Sequence, residues 1–424
     1  MTTLITDDRA SALAQFRAVR ARTEALARPL HPEDLTIQSM PDASPGKWHL
    51  AHTTWFFETF VLTAASLPWT SPDSAYAALF NSYYHSIGPQ WARASRGALS
   101  RPTVEQVWAW REAVDAGMGR LIETLREVEW RRLAPFIEVG LNHEEQHQEL
   151  FCTDLRHAFA LNPQRPAAYP GRPTRAAAAP PPMRFLEGRE GVVEIGADGS
   201  RFGFDNEGPR HKVLLAPHAI ADRLVTNAEY QAFIEDGGYQ SPLLWLSDGW
   251  DKVQTEGWAH PLYWRKDGAD WTELTLHGPE SLDLAAPVNG VSAFEALAFA
   301  TWAKARLPTE AEWEAFQGAE DEADATGLQT RGRLHPMPAS RPEGVRQRFG
   351  EAWQWTQSAY SPYPGFRPSQ GALGEYNGKF MVNQLVLRGG SCATPPGHSR
   401  LTYRNFFPAH ARWQFAGLRL AQDL

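Results

Sequence analysis

Residues 163–183, PQRPAAYPGRPTRAAAAPPPM, interrupt this chain with proline and alanine that follow no apolar period. A stretch of that kind neither continues a helix nor pairs as an interior strand, so it reads as an extended connector. It separates two halves of different pattern. Before it, ALAQFRAVRARTEALARPL, WFFETFVLTAASL, VEQVWAWREAVDAGMGRLIETLREV and FIEVGLNHEEQHQELFCTDLRHAFAL repeat apolar residues every three or four positions, as packed helices do. After it come short alternating runs, Gly-Pro turns and many tryptophans, with helical pattern confined to NAEYQAFIEDGG, AFEALAFATWAKA and TEAEWEAFQ. The expectation is a multidomain α and α+β protein: a four-helix bundle over 1–162, the connector over 163–183, and an α+β domain over 184–424. A length of 424 residues with 43% hydrophobic content agrees with two cores rather than one.

A formal charge of −8 excludes the concentrated basic surface that phosphate neutralisation needs, so no nucleic-acid partner is expected. No apolar run reaches the length of a membrane span. The opening residues MTTLITDDRA lack the basic and apolar regions of a signal peptide, and the cysteines are only Cys152 and Cys392. These features point to a cytoplasmic protein with a small-molecule partner.

The motif with most chemical content is His143-Glu144-Glu145-Gln146-His147, inside a helical stretch. At a spacing of i, i+4 both imidazoles leave one face of the helix and can share a metal. The same string fits H-E-x-x-H, in which Glu144 would be the general base of a zinc protease, although the following residues lack the Gly and third His of the extended pattern. The bland alternative is a pair of solvated helix histidines. Upstream, SPGKWHLAHTTWFFE places His49 and His52 three apart at the start of another helix, and either is able to face the pair across a bundle. Imidazole ligands suit Fe, Zn, Cu and Ni alike, so the donor set leaves the metal open.

Several longer segments together resemble the hercynine oxygenases, the iron(II)-dependent ergothioneine-type sulfoxide synthases, and the closely related selenoneine synthases. They are SPGKWHLAHTTWFFETF (44–60), LFNSYYHSIG (79–88), NHEEQHQELFCTDLRHAF (142–159), RLPTEAEWEAF (306–316), VLRGGSCATP (386–395) and YRNFFPAHARWQFAGLRLA (403–421). The resemblance implies a DinB-like bundle followed by a formylglycine-generating-enzyme (C-type-lectin-like) domain. It implies Fe(II) held by His52, His143 and His147, with His49 a neighbour. It also implies O2 as co-substrate and hercynine (Nα-trimethylhistidine) as acceptor of a sulfur atom at C2 of its imidazole.

By the same resemblance Tyr83 and Tyr84 stand where one subgroup carries a catalytic tyrosine, with Tyr376 a second-ranked counterpart from another subgroup. Gln146 stands where the family contacts the hercynine imidazole. Asn405, Phe406 and Phe407 suit a carboxylate and a quaternary cation. Arg93 and Arg96 match arginines that some relatives use for γ-glutamylcysteine. Formylglycine-generating enzymes work through two cysteines near the end of the fold, whereas this domain offers only Cys392, so that activity is not expected. Glu312, Trp355 and Arg388 are expected to be structural. Three other functions compete: coupling of hercynine to a selenosugar, an oxygen-independent DinB-type thiol transferase, and a lectin-like binding module.

Overall fold

The computed structural model describes residues 8–171, 180–316, 334–339 and 344–424. Residues 172–179 of the expected connector lie outside them, as do the first seven residues. The chain forms two compact units. The first is Met1–Asn162 together with two later segments, Gly199–Asp205 and Arg367–Lys379; the second is the remainder. Tyr376 therefore belongs to the first unit.

In the first unit the helices are α1 (Arg9–Ala27), α2 (Gly46–Phe57), the short α3 (Tyr76–Leu79), α4 (Val104–Thr124) and α5 (Glu127–Leu161). Helix α1 is capped by the Asp8 carboxylate on the Ala10 N–H, and α4 by a reciprocal box between Thr103 and Gln106. Helix α2 runs into a wider π-type turn, Glu58–Leu62, where the sequence reading had continued an ordinary helix.

Two glycines set how closely α2 approaches its neighbours. A Cβ on Gly140 of α5 would lie 2.7 Å from the Phe57 ring, and one on Gly46 would lie 2.8 Å from the Phe151 ring. Only residues without side chains fit there, and the resulting contact brings the histidines of α2 and α5 together. Between them these helices bury Phe16, Trp48, Trp55, Phe56, Phe57, Trp110, Trp130 and Ile137, whose apolar area drives the packing.

The second unit contains four small sheets among the described residues: β1 (Phe185–Glu187), β4 (His218–Ala221) and β12 (Ala421–Asp423); β2 (Gly191–Ile195) with β3 (His211–Leu215); β5 (Trp264–Asp267), β6 (Asp270–Thr275) and β7 (Gly278–Ser281); and β10 (Asn405–Phe407), β9 (Leu385–Arg388), β8 (Trp353–Ala359) and β11 (Ala416–Gly417). The expected helices appear as α6 (Asn227–Glu235), α8 (Ala293–Trp302) and α9 (Glu310–Ala315), each opened by a capping box. Gln317, at the end of the pattern that includes α9, lies outside the described residues. A further helix, α7 (Ser247–Glu256), was not foreseen; it buries only Gly249 and Val253 and so has almost no apolar stripe to read.

Glu312, Trp355 and Arg388 do structural work. Arg388 is fully buried and donates to Glu310, Glu314 and the Tyr363 hydroxyl; Glu312 pairs with Arg306 and caps α9; the Trp355 indole donates to the Val291 carbonyl. Both cysteines are buried.

Candidate metal centre

The i, i+4 spacing on α5 carries His143 and His147 to one face, and α2 presents His52 to them. One nitrogen from each of the three rings can be chosen so that all lie within 4.8 Å of one another. His52 and His143 are buried and His147 is half-buried.

Each imidazole is prepared differently. The Nδ1–H of His52 donates to the Phe80 carbonyl at 2.6 Å, which leaves Nε2 buried and without a hydrogen-bond partner among the described residues. Its ring is flanked by near-parallel indoles, Trp48 at 4.5 Å and Trp55 at 5.5 Å, supplied from one turn on either side of the same helix. Among the described residues neither nitrogen of His143 has a hydrogen-bond partner. His147 Nδ1 lies 2.8 Å from His49 Nδ1, and His49 Nε2 lies 3.0 Å from Asp154 Oδ2. His49 thus has both nitrogens engaged, which settles geometrically which α2 histidine keeps a free lone pair: it is His52.

Burial holds all three below the usual imidazole range. His143 falls to about 3, and His52 and His147 also lie well below their ordinary value, neighbouring imidazoles and Arg96 adding to the effect of burial. At neutral pH the trio is uncharged, with lone pairs exposed to one another and no proton or hydrogen bond to occupy them all. An unpaired buried donor or acceptor is costly, and a cation at the centre removes that cost. The residues therefore fit a metal.

Glu144 points elsewhere. Its carboxylate accepts from Arg111 at 2.5 Å, Thr23 at 2.6 Å and Arg20 at 2.8 Å. Burial alone would raise it, but the two guanidiniums bring it to about 2. A carboxylate committed to two arginines is not a zinc-protease base.

Around the trio, Tyr376 packs edge-on against His143 with centroids 5.7 Å apart, stacks on Phe204, and donates its hydroxyl to Oε1 of Gln146. Tyr83 and Tyr84 lie 4.7 Å apart, and Tyr84 packs against Trp55 and Phe60. Burial pushes both of these phenols well above their ordinary range. Glu375 accepts from the backbone N–H groups of His85 and Ser86, each at 2.9 Å, and from the Ser86 hydroxyl. Lys379 donates to the Tyr83 carbonyl.

Arg93 and Arg96 share a 3₁₀ turn, Arg93–Ala98, but not an environment. Arg93 is exposed and donates to the Asp42 carbonyl. Arg96 is buried, lies 3.3 Å over the Trp48 ring, and among the described residues donates to the hydroxyls of Ser44 and Ser82.

In the second unit, Asn405, Phe406 and Phe407 form β10 and are half-buried. Asn405 Oδ1 accepts the Phe406 N–H, Phe406 stacks on Tyr360 at 4.0 Å, and Phe407 meets Trp413 edge-on.

Residues 15–151 match the DinB superfamily, and residues 174–326 and 316–424 match the Sulfatase-modifying factor enzyme 1-like domain. A hercynine oxygenase from Mycolicibacterium smegmatis is 31% identical over 92% of this chain and 94% of its own. One from Mycobacterium tuberculosis is 32% identical over 96% and 97%. This chain belongs to the hercynine oxygenase family. Ergothioneine biosynthesis protein 1 of Schizosaccharomyces pombe is 30% identical over 52% of this chain and 28% of its own. As the resemblance implies, a DinB-type helical part is followed in this chain by a sulfatase-modifying-factor part. No helix among the described residues is long and apolar enough to cross a membrane.

The sequence reading missed Asp154 and Ser44. Asp154 is seven positions after His147 on α5, hence on the same face, and that spacing was the available signal. The hydrogen bond from the Ser44 N–H to Asp154 links residues 110 positions apart and left no local trace.

Proposed function

We propose that this hercynine oxygenase family member is a non-haem iron(II)- and O2-dependent enzyme of ergothioneine biosynthesis. It joins the sulfur of γ-glutamylcysteine or cysteine to C2 of hercynine and gives the sulfoxide. The balance is one thiol, one hercynine and one O2 giving one sulfoxide and one water. The thiol S–H and imidazole C–H supply two electrons, and oxidation of sulfur to sulfoxide supplies two more.

The observation that carries this reading is the cluster of three neutral imidazoles in a chain of this family. His52, His143 and His147 would hold ferrous iron, which when bound supplies open coordination positions and one-electron chemistry toward O2. Gln146, one residue before His147, would meet the hercynine imidazole. Tyr376, touching both Gln146 and His143, is the best-placed tyrosine to move a proton, with Tyr83 and Tyr84 behind it. Arg96 is a buried cation whose hydrogen-bonding partners are two neutral hydroxyls, which suits a donor carrying a carboxylate; Arg93 would assist from the exposed side of the same turn. In the second unit, Asn405 offers an amide donor for a carboxylate, and Phe406 and Phe407 offer aromatic faces for a trimethylammonium group.

The test is mass spectrometry of products from anaerobically iron-loaded protein given hercynine and O2 with cysteine, γ-glutamylcysteine or a selenosugar in parallel. An O2-dependent sulfoxide adduct is expected. A selenium adduct alone would reassign the donor to the selenosugar, and undiminished turnover without O2 would replace the oxygenase reading with a thiol transferase.

A further inference from the structure

The chain Asp154–His49–His147 runs outward from the imidazole cluster. Asp154 Oδ2 accepts the Ser44 backbone N–H at 2.8 Å and faces His49 Nε2 at 3.0 Å; His49 Nδ1 faces His147 Nδ1 at 2.8 Å. A carboxylate can only accept, so the His49 proton sits on Nε2. His49 Nδ1 is then a lone pair, and the hydrogen between the two rings belongs to His147 Nδ1. That leaves the His147 lone pair on Nε2. His52 reaches the same state by a shorter route, its Nδ1–H on the Phe80 carbonyl.

We infer that Asp154 and His49 form a two-residue relay that fixes the tautomer and ring orientation of His147 for metal binding. Both are positioning residues. The inference rests on the metal reading above, but its first step is a property of the metal-free protein. The relay also explains why a fourth histidine belongs to the cluster without being a ligand. Had His49 been a ligand, one of its nitrogens would face the others unengaged; instead both are spent on a carboxylate and a ring nitrogen. Outer partners of metal-bound imidazoles act by fixing tautomer and orientation, and losing one typically costs about 10–100-fold in metal affinity.

Asp154→Leu tests the direction of the relay. An asparagine would keep its oxygen under the Ser44 N–H and still accept from His49 Nε2, whereas leucine keeps the branched shape and removes the acceptor. The His49 proton is then free to move to Nδ1, donate to His147 Nδ1 and place the His147 proton on Nε2, the ligand nitrogen. In wild-type protein labelled with ¹⁵N-histidine, without metal, His147 should show the Nδ1–H tautomer, and Asp154→Leu should shift it toward Nε2–H. With Co(II) as the probe metal, the same variant should bind about 10–100-fold more weakly and show altered d–d bands, with unchanged helical circular dichroism. His49→Phe, which keeps a ring but no acceptor, should weaken Co(II) similarly, and His49→Gln, whose amide oxygen still accepts, should recover part of the loss. An Nε2–H tautomer of His147 in the wild type, or wild-type Co(II) affinity and spectrum in both Asp154→Leu and His49→Phe, would overturn the relay. Failure of wild-type protein to bind Co(II) with the expected His147 tautomer present would instead strike the metal reading.

Discussion

The Tyr376 hydroxyl donates to Oε1 of Gln146, the residue that precedes His147 on α5. Residues 230 positions apart in sequence thus meet inside one compact unit. Because the same ring lies edge-on to His143, Tyr376 is the phenol in touch with both the cluster and the proposed hercynine contact. Tyr376→Phe should lower sulfoxide formation by about 10²-fold or more, the usual scale of a lost proton donor, with Co(II) affinity unchanged. Tyr83→Phe and Tyr84→Phe should cost less. Comparable losses in all three would spread the role over the tyrosine group.

Removal of any one imidazole should abolish tight metal binding. His52→Ala, His143→Ala and His147→Ala each leave two donors, too few to hold a divalent ion against solvent. Equilibrium dialysis with Fe(II) under nitrogen is expected to show near-stoichiometric binding in the wild type and loss in each variant. Retention in His52→Ala would mean that a different residue completes the site.

Much of this was legible before the fold. The proline and alanine tract, the 3.6-residue periods and the HEEQH spacing are local patterns, and they carried the bundle and two of the three clustered histidines. Which of His49 and His52 joined them was not local: the resemblance favoured His52, and the Phe80 and Asp154 contacts supply the reason. Tyr376 stands behind Tyr83 and Tyr84 in the resemblance, as the counterpart from another subgroup, and no local pattern connects GEYNGKF to the bundle. Arg93 and Arg96 rest on their spacing and on the resemblance, neither of which can tell the exposed residue from the one buried against Trp48.

Glu144→Gln should destabilise the first unit without touching the histidines. The carboxylate joins Arg20 and Arg111 at the centre of the bundle, and breaking a buried pair by removing one charge costs about 3–5 kcal/mol. Urea unfolding followed by helical circular dichroism should show that loss. A variant as stable as the wild type would show that the two arginines find other partners.

Arg96→Met should raise KM for γ-glutamylcysteine by about 10–100-fold, the size of a lost hydrogen bond to a charged group, with a smaller effect from Arg93→Ala. Trp48 stacks between Arg96 and His52, so the control is Co(II) affinity, which should stay near wild type if the guanidinium serves the donor. Equal losses toward cysteine and the γ-glutamyl dipeptide would show that Arg96 meets a carboxylate common to both.

Glu375 supplies the pH dependence. Although burial opposes it, the Ser86 hydroxyl, the His85 and Ser86 N–H groups and Lys379 bring its carboxyl from the usual 4.5 to about 2. A folded value below the unfolded one means that the ionised form is favoured by folding. The contribution is therefore complete above about pH 4.5 and disappears as the pH falls toward 2. Glu375→Gln should accordingly have a lower Tm than the wild type at neutral pH, and the gap should narrow once the pH drops below about 4.5. Because Glu375 adjoins Tyr376 and grips the backbone just after Tyr84, the variant should also free the amides of His85 and Ser86 to exchange faster with deuterium at neutral pH. A Tm gap that stays constant down to acid pH would assign the effect of the substitution to packing rather than to the charge on Glu375.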